Sequence, residues 1–203
     1  MEAARRVSDD RSNGYDAVAA DFMSRRTGSS IGLATIREWA KGLPSGGDIL
    51  DLGCGHGVPI SQALVDDGFA VYGVDASPTL VAAFRIRFPG APTECAAAEE
   101  SKFFDRSFDG VVAWGLMFLL APDTQTHLIR KVAAALKAGG RFLFTAPDLE
   151  CEWVDNLTGR ISVSLGSHAY RKTVEEAGLI LDGEADDEGD NHYYFVCKPS
   201  VEG

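Results

Sequence analysis

Two acids and three glycines dominate the chemistry that can be read from the chain. In "DILDLGCGHGVPI" (48–60), an apolar run ends on Asp51, and glycines follow at alternate positions 53, 55 and 57. A second acid, Asp75, closes the next apolar run, "AVYGVD". A glycine-rich turn after a strand allows positive φ and lets a ligand approach the backbone closely. In open parallel sheets such turns sit at the carboxyl ends of the strands, where ligands bind.

Two ligands compete for this turn. The dinucleotide fingerprint G-x-G-x-x-G rests a pyrophosphate on a helix N-terminus. Gly53 and Gly55 fit it, but Val58 stands at its third position and Gly57 arrives one residue early. Asp51 argues more strongly. A carboxylate beside a pyrophosphate is unfavourable by roughly 1–4 kcal/mol at ~4 Å, whereas beside a cation it is favourable. S-adenosylmethionine carries an ammonium and a sulfonium and no phosphate. Asp75 suits the ribose hydroxyls of either ligand.

The elements around these residues alternate. Helical periodicity covers 15–26 and 31–42, the second ending on Gly42 and Pro44, and residues 1–14 read as a flexible N-terminus. From residue 48 a strand is followed by a helix from Pro59 to about Asp67, then a strand over 70–75. Ser77 then caps a helix that starts at Pro78 and runs to Pro89. Strands follow over 93–98 and 109–115. A helix over 124–140 takes Gly139 as its C-cap and leads into a strand over 141–146. Residues 147–166 read as irregular. Ser167 opens a last helix, and strands 179–184 and 191–197 flank the acidic turn "ADDEGD" as an antiparallel pair. This predicts one α/β domain over 15–203: a doubly wound, mainly parallel seven-stranded sheet with a reversed last strand, and helices 15–42 over the site.

These motifs resemble class I S-adenosylmethionine-dependent methyltransferases of the small-molecule type. "DILDLGCGHG" is similar to their acid-x-G-x-G-x-G motif and "VYGVDAS" to their ribose motif. "SFDGVVAWGLMFLL" and "LKAGGRFLFT" are similar to their fourth- and fifth-strand regions. The resemblance implies a Rossmann-like fold with S-adenosylmethionine as cofactor. It implies that Asp51, Gly53, Cys54, Gly55 and Gly57 surround the methionine part. Asp75 takes the ribose, Ala76 and Ser77 lie beside the adenine, and Trp114 closes over the methionine end. Many relatives meet the adenine amino group with a third acid; the matching position here is Ala97, which leaves the backbone of Ala98 and the side chain of Glu99 as candidates.

Methyl transfer is an in-line displacement for which alignment of the reactants can suffice, so no catalytic residue is assigned. Tyr15, Phe22, the segment Trp114–Phe118, Trp153 and His192 are candidates to face an acceptor. His56 reads as a packed or cofactor-contacting residue and His127 as structural. The net charge of −11 disfavours nucleic acid and anionic membranes as partners. The scattered Cys54, Cys95, Cys151 and Cys197 form no C-x-x-C pair, suggest no metal, and fit reduced thiols in a cytoplasmic chain. No appended recognition domain is visible, so a small-molecule acceptor is expected, for a monomer or homodimer. The competing readings are a catalytically silent S-adenosylmethionine sensor or scaffold, and a nicotinamide-dependent oxidoreductase.

Overall fold

The computed structural model describes residues 10–200. Seven strands make the main sheet: β1 (Asp48–Leu52), β2 (Ala70–Asp75), β3 (Thr93–Cys95), β4 (Phe108–Ala113), β5 (Leu136–Thr145), β8 (Ile180–Asp186) and β9 (His192–Cys197). Their order is β3-β2-β1-β4-β5-β9-β8. Strands β1 to β5 pair in parallel, while β9 runs antiparallel to both β5 and β8. The expected α/β sheet with a reversed last strand is thus present. Strand order turns back between β1 and β4, which puts the crevice of an open sheet at their carboxyl ends. Asp51 and Trp114 lie there.

The central strands are apolar on both faces because helices cover both. Ile49, Leu50 and Leu52 of β1 and Val111, Val112 and Ala113 of β4 have no solvent exposure, and burying each larger side chain contributes about 1.5–3 kcal/mol. Ile49, Val112 and Leu143 face Ile36 and Trp39 of α2 (Leu33–Ala40), Leu64 of α3 (Ile60–Asp66) and Phe84 of α4 (Pro78–Arg87). On the opposite face Leu50, Val111 and Phe142 meet Leu128 and Val132 of α5 (Pro122–Ala135) and Tyr170 of α6 (Gly166–Glu176). Among the described residues no helix is long and apolar enough to cross a membrane.

Several boundaries differ from those expected. The first helix, α1 (Ala19–Arg26), starts four residues after Tyr15. Asn13 and Gly14 take positive φ, and Asp10 accepts from the amides of Ser12 and Gly14, so residues 10–14 form a fixed turn. The rest of the 1–14 segment lies outside the described residues. Pro59 is the N-cap of α3 rather than its first turn, and α2 stops at Ala40. The helix expected to reach Gly140 ends at Ala135. Leu136 is extended and pairs with Phe108, and Lys137 reaches Asp109 at 2.8 Å. Gly139, expected to cap that helix, instead donates its amide to the carbonyl of Lys198.

The third strand stops at Cys95 because the chain is then drawn off the sheet. The Lys131 ammonium donates to the carbonyls of Ala98, Glu99 and Ser101. Residues 147–166, read as irregular, contain a hairpin of β6 (Glu150–Val154) and β7 (Ile161–Leu165). Ser167 does not cap the last helix: α6 begins at Gly166, and the Ser167 hydroxyl lies 2.9 Å from that of Tyr194.

Candidate cofactor and acceptor cavity

The carboxyl ends of β1, β2 and β4 open into a cavity of about 630 Å³. Its floor comes from the glycine turn, with Asp51, Gly53, Cys54 and Gly57 on the wall. The turn is closed on itself. The amides of Gly53 and Cys54 both donate to the Val74 carbonyl, at 2.8 and 3.1 Å, and Gly57 donates to the carbonyl of Cys54 at 2.9 Å. Gly55 donates to Asp75 Oδ2 at 2.8 Å. All four amides are therefore spent inside the protein. A phosphate cradle works by aiming such amides at its ligand, and this turn has none of these four left to aim.

Asp51 is the polar group that the turn does present. It is 3% exposed, and the Ser61 hydroxyl donates to its Oδ2. Burial pushes its carboxyl up to about 7, with the nearby Asp75 adding to the rise and the Ser61 bond opposing it. Burial likewise raises Asp75, against the two backbone amides, of Ser77 and Gly55, that its oxygens accept. The carboxyls of Asp51 and Asp75 thus stand together at this end of the wall, where a nearby positive charge on a ligand would favour their ionised forms.

The glycines are required for different reasons. Gly53 has φ +70° and borders the cavity. Gly57 has φ +86°, and a Cβ there would stand 2.2 Å from the Phe88 ring. Phe22 covers Gly55, which therefore lies off the wall.

At the far end of the cavity are Ala76, Leu80, Ala97, Ala98 and Glu99. Glu99 Oε2 is buried and makes no hydrogen bond within the protein. Ser77 is off the wall: its hydroxyl accepts from Leu80 N, capping α4, and donates to Asp16.

The other half is built by segments that sequence reasoning read poorly. Tyr15 and α1's Phe22 and Arg26 come from one side, and Trp114, Phe118 and Trp153 from the other. No residue of α2 joins them. Phe118 and Trp153 rings lie 5.3 Å apart. Tyr15 donates to Asp155 Oδ2 at 3.2 Å, tying the N-terminal segment to the β6–β7 hairpin, and Asp10 meets Arg160 there at 2.8 Å. Trp114 Nε1 donates to Tyr193, whose hydroxyl donates to Asp187. Arg26, Asn13, Asp155, Asn156 and Asn191 also reach the wall and were not singled out from the sequence. The alternation of "ECEWV" and "ISVSL" around a turn was the signal for the hairpin; nothing comparable marked Arg26.

No described histidine reaches the cavity wall. His56 is buried under Phe22 with neither ring nitrogen bonded, and burial, Arg87 and Arg26 pull it down to about 4. His192 pairs with Asp186 at 2.7 Å, and His127 is on the exposed face of α5. Among the described residues no group of three His, Cys, Asp or Glu side chains is placed to hold a metal ion, and all four cysteines are free.

Comparison with known proteins agrees with this architecture. Residues 49–140 match a family model described as a methyltransferase domain. An uncharacterized methyltransferase of Schizosaccharomyces pombe is 30% identical over 155 residues, covering 71% of this chain and 56% of that protein. The 27-O-demethylrifamycin SV methyltransferase of Amycolatopsis mediterranei is 29% identical over 152 residues, 68% of this chain and 55% of its own. The chain thus spans about half the length of these curated relatives. In fold it is similar to Burkholderia thailandensis 1,6-didemethyltoxoflavin-N1-methyltransferase, solved with its acceptor and S-adenosylhomocysteine. That match has a TM-score of 0.70 at 17% identity and covers 98% of this chain and 93% of that one. By family model, relatives and strand order, the chain carries a methyltransferase domain over residues 49–140, within a fold shared with S-adenosylmethionine-dependent methyltransferases.

Proposed function

We propose that this chain transfers the methyl group of S-adenosylmethionine to a small-molecule acceptor, within a single domain whose N-terminal segment covers the site. One observation carries the reading: the glycine turn has spent its Gly53, Cys54, Gly55 and Gly57 amides internally and offers its ligand the Asp51 carboxylate. That combination rejects a diphosphate and favours a cationic nucleoside.

The remaining residues fit the same ligand. Asp51, Gly53, Cys54 and Gly57 would enclose the methionine part, with Gly55 holding the turn and Trp114 closing over it. Asp75 already accepts two amides and retains lone pairs for the ribose hydroxyls. Ala76 and Ala98 would flank the adenine, with Ser77 fixing the start of α4. Glu99 stands two residues from Ala97 and has a buried oxygen without a partner. It supplies an acceptor for an adenine amino group where Ala97 supplies none.

When bound, the sulfonium would supply an electrophilic methyl group. This chain's residues then have to align the acceptor and exclude water, for which proximity can contribute up to about 7–11 kcal/mol. The aromatic walls Phe118, Trp153, Tyr15 and Phe22 favour a compact, partly planar acceptor. Tyr15 is a poor base, since burial and Asp155 raise its phenol well above its ordinary value. Positioning alone suffices where the acceptor is already nucleophilic. Small-molecule methyltransferases among the similar proteins, such as those named for 27-O-demethylrifamycin SV and 1,6-didemethyltoxoflavin, support that class of substrate. Calorimetric titration with S-adenosylmethionine and S-adenosylhomocysteine tests the reading. Micromolar binding of both is expected; no heat from either at millimolar concentration contradicts it.

A further inference from the structure

Six of the eleven described arginines have carboxylate partners, while Arg25, Arg26, Arg85, Arg87 and Arg141 form no such ion pair. Arg11, Arg37, Arg106, Arg130, Arg160 and Arg171 each meet one at 2.7–3.6 Å. Arg26 forms no such pair among the described residues, although the chain carries 30 acids. Its guanidinium is half-buried on the cavity wall, 4.2 Å from the Trp114 ring centroid and 5.4 Å from that of Phe22. Burial lowers its pKa, and the phenols of Tyr15 and Tyr193 act on it electrostatically. Burial raises both phenols, so they are neutral and supply no counter-charge.

Its support is rigid. Trp114 is fixed beneath the guanidinium through Tyr193, which Asp187 anchors at 2.6 Å. Asp187 in turn accepts from Gly189 and Asn191. A cation desolvated on one face by an aromatic plane keeps its planar N–H fork for an oxyanion. A second donor faces the same cavity unsatisfied: Asn13 Nδ2 is buried without a partner.

We propose that Arg26 is an oxyanion receptor inside the cavity, binding a carboxylate that belongs either to the amino-acid tail of the bound nucleoside or to the acceptor. The inference rests on the methyltransferase reading given above. Both sources present the same chemistry to the guanidinium, and only binding measurements separate them.

The test compares the unaltered chain with Arg26→Gln and Arg26→Lys by calorimetry. The probes are S-adenosylhomocysteine, 5′-methylthioadenosine (the same nucleoside without the amino-acid tail), and benzoate titrated with and without S-adenosylhomocysteine. Loss of at least tenfold in S-adenosylhomocysteine affinity in Arg26→Gln, with methylthioadenosine unchanged and partial rescue by lysine, supports the tail as source. Unchanged nucleoside binding with loss of benzoate binding supports the acceptor. The proposal is overturned if all affinities stay within twofold. It is also overturned if both nucleosides weaken equally, since Arg26 would then only shape the wall. If the unaltered chain binds no S-adenosylhomocysteine, the methyltransferase reading fails separately; benzoate then supports the receptor if it binds and is lost in Arg26→Gln, and overturns it otherwise.

Discussion

The amide of Gly55 donates to the carboxylate of Asp75 at 2.8 Å, so the turn after the first strand is latched to the acid that ends the second. One residue thus joins two jobs. It fixes the glycine turn, and it retains lone pairs for a ligand. Removing it should affect binding more than a lone surface acid would.

Asp75→Ala is expected to weaken S-adenosylhomocysteine binding by about 10–100-fold, given that hydrogen bonds to a charged group contribute about 1.5–3 kcal/mol. Calorimetry at pH 8 checks this. Affinity within twofold of the unaltered chain would remove Asp75 from the binding site.

Binding should depend on pH through Asp51. Its carboxyl titrates at about 7 in the ligand-free protein, and a cationic ligand favours the ionised form. Below pH 7 binding must therefore displace a proton, and affinity falls as pH falls, approaching tenfold per unit. Asp75, also raised by burial, contributes with the same sign. Titrations from pH 8 to pH 5.5 should show a plateau above 7 and a decline below it.

The same shift has a stability consequence with the opposite sense. Asp51 binds its proton more tightly folded, at about 7, than at its ordinary 3.8. Its ionisation therefore lowers the stability of the ligand-free protein as pH rises from about 4 through 7. Asp51→Asn removes that penalty. Its thermal midpoint should exceed that of the unaltered chain at pH 8 by several degrees, at roughly 2–4 °C per kcal/mol for this size. The gap should narrow as pH falls below 7 and close only near pH 4, where the carboxyl is protonated in the unfolded chain as well. S-adenosylhomocysteine binding should be lost in the same variant.

Gly57→Ala should destabilise strongly. The new Cβ would meet Phe88 at 2.2 Å and Phe84 at 3.0 Å, on a backbone with φ +86°. Overpacking and left-handed strain together cost about 2–5 kcal/mol, to be read from urea midpoints. A change under 0.5 kcal/mol would show that the two rings yield freely.

Much of this was legible in the chain because local chemistry and global fold agree there. Gly53, Gly55 and Gly57 all take the positive φ that their type suggests, and the apolar strands 48–52, 70–75 and 108–113 are buried as central parallel strands must be. Ser77 caps its helix as read. The acceptor half was less legible because its positions are fixed by distant partners. The "LKAGG" segment scores as helix, yet Leu136 pairs with Phe108 and Lys137 with Asp109. The β6–β7 strands expose alternate residues to solvent, so their apolar signal is thin. Arg26 is an ordinary surface arginine by sequence; only the placement of Trp114, Tyr193 and Asp187 turns it into a cavity wall.

The account depends on a turn that prefers a cationic nucleoside to a diphosphate. Parallel calorimetric titrations of S-adenosylhomocysteine and ADP at pH 8 compare the two chemistries on the same nucleoside. Micromolar binding of S-adenosylhomocysteine, abolished in Asp51→Asn, with no measurable binding of ADP is the predicted result. ADP binding of equal strength, undiminished or improved by Asp51→Asn, would contradict it.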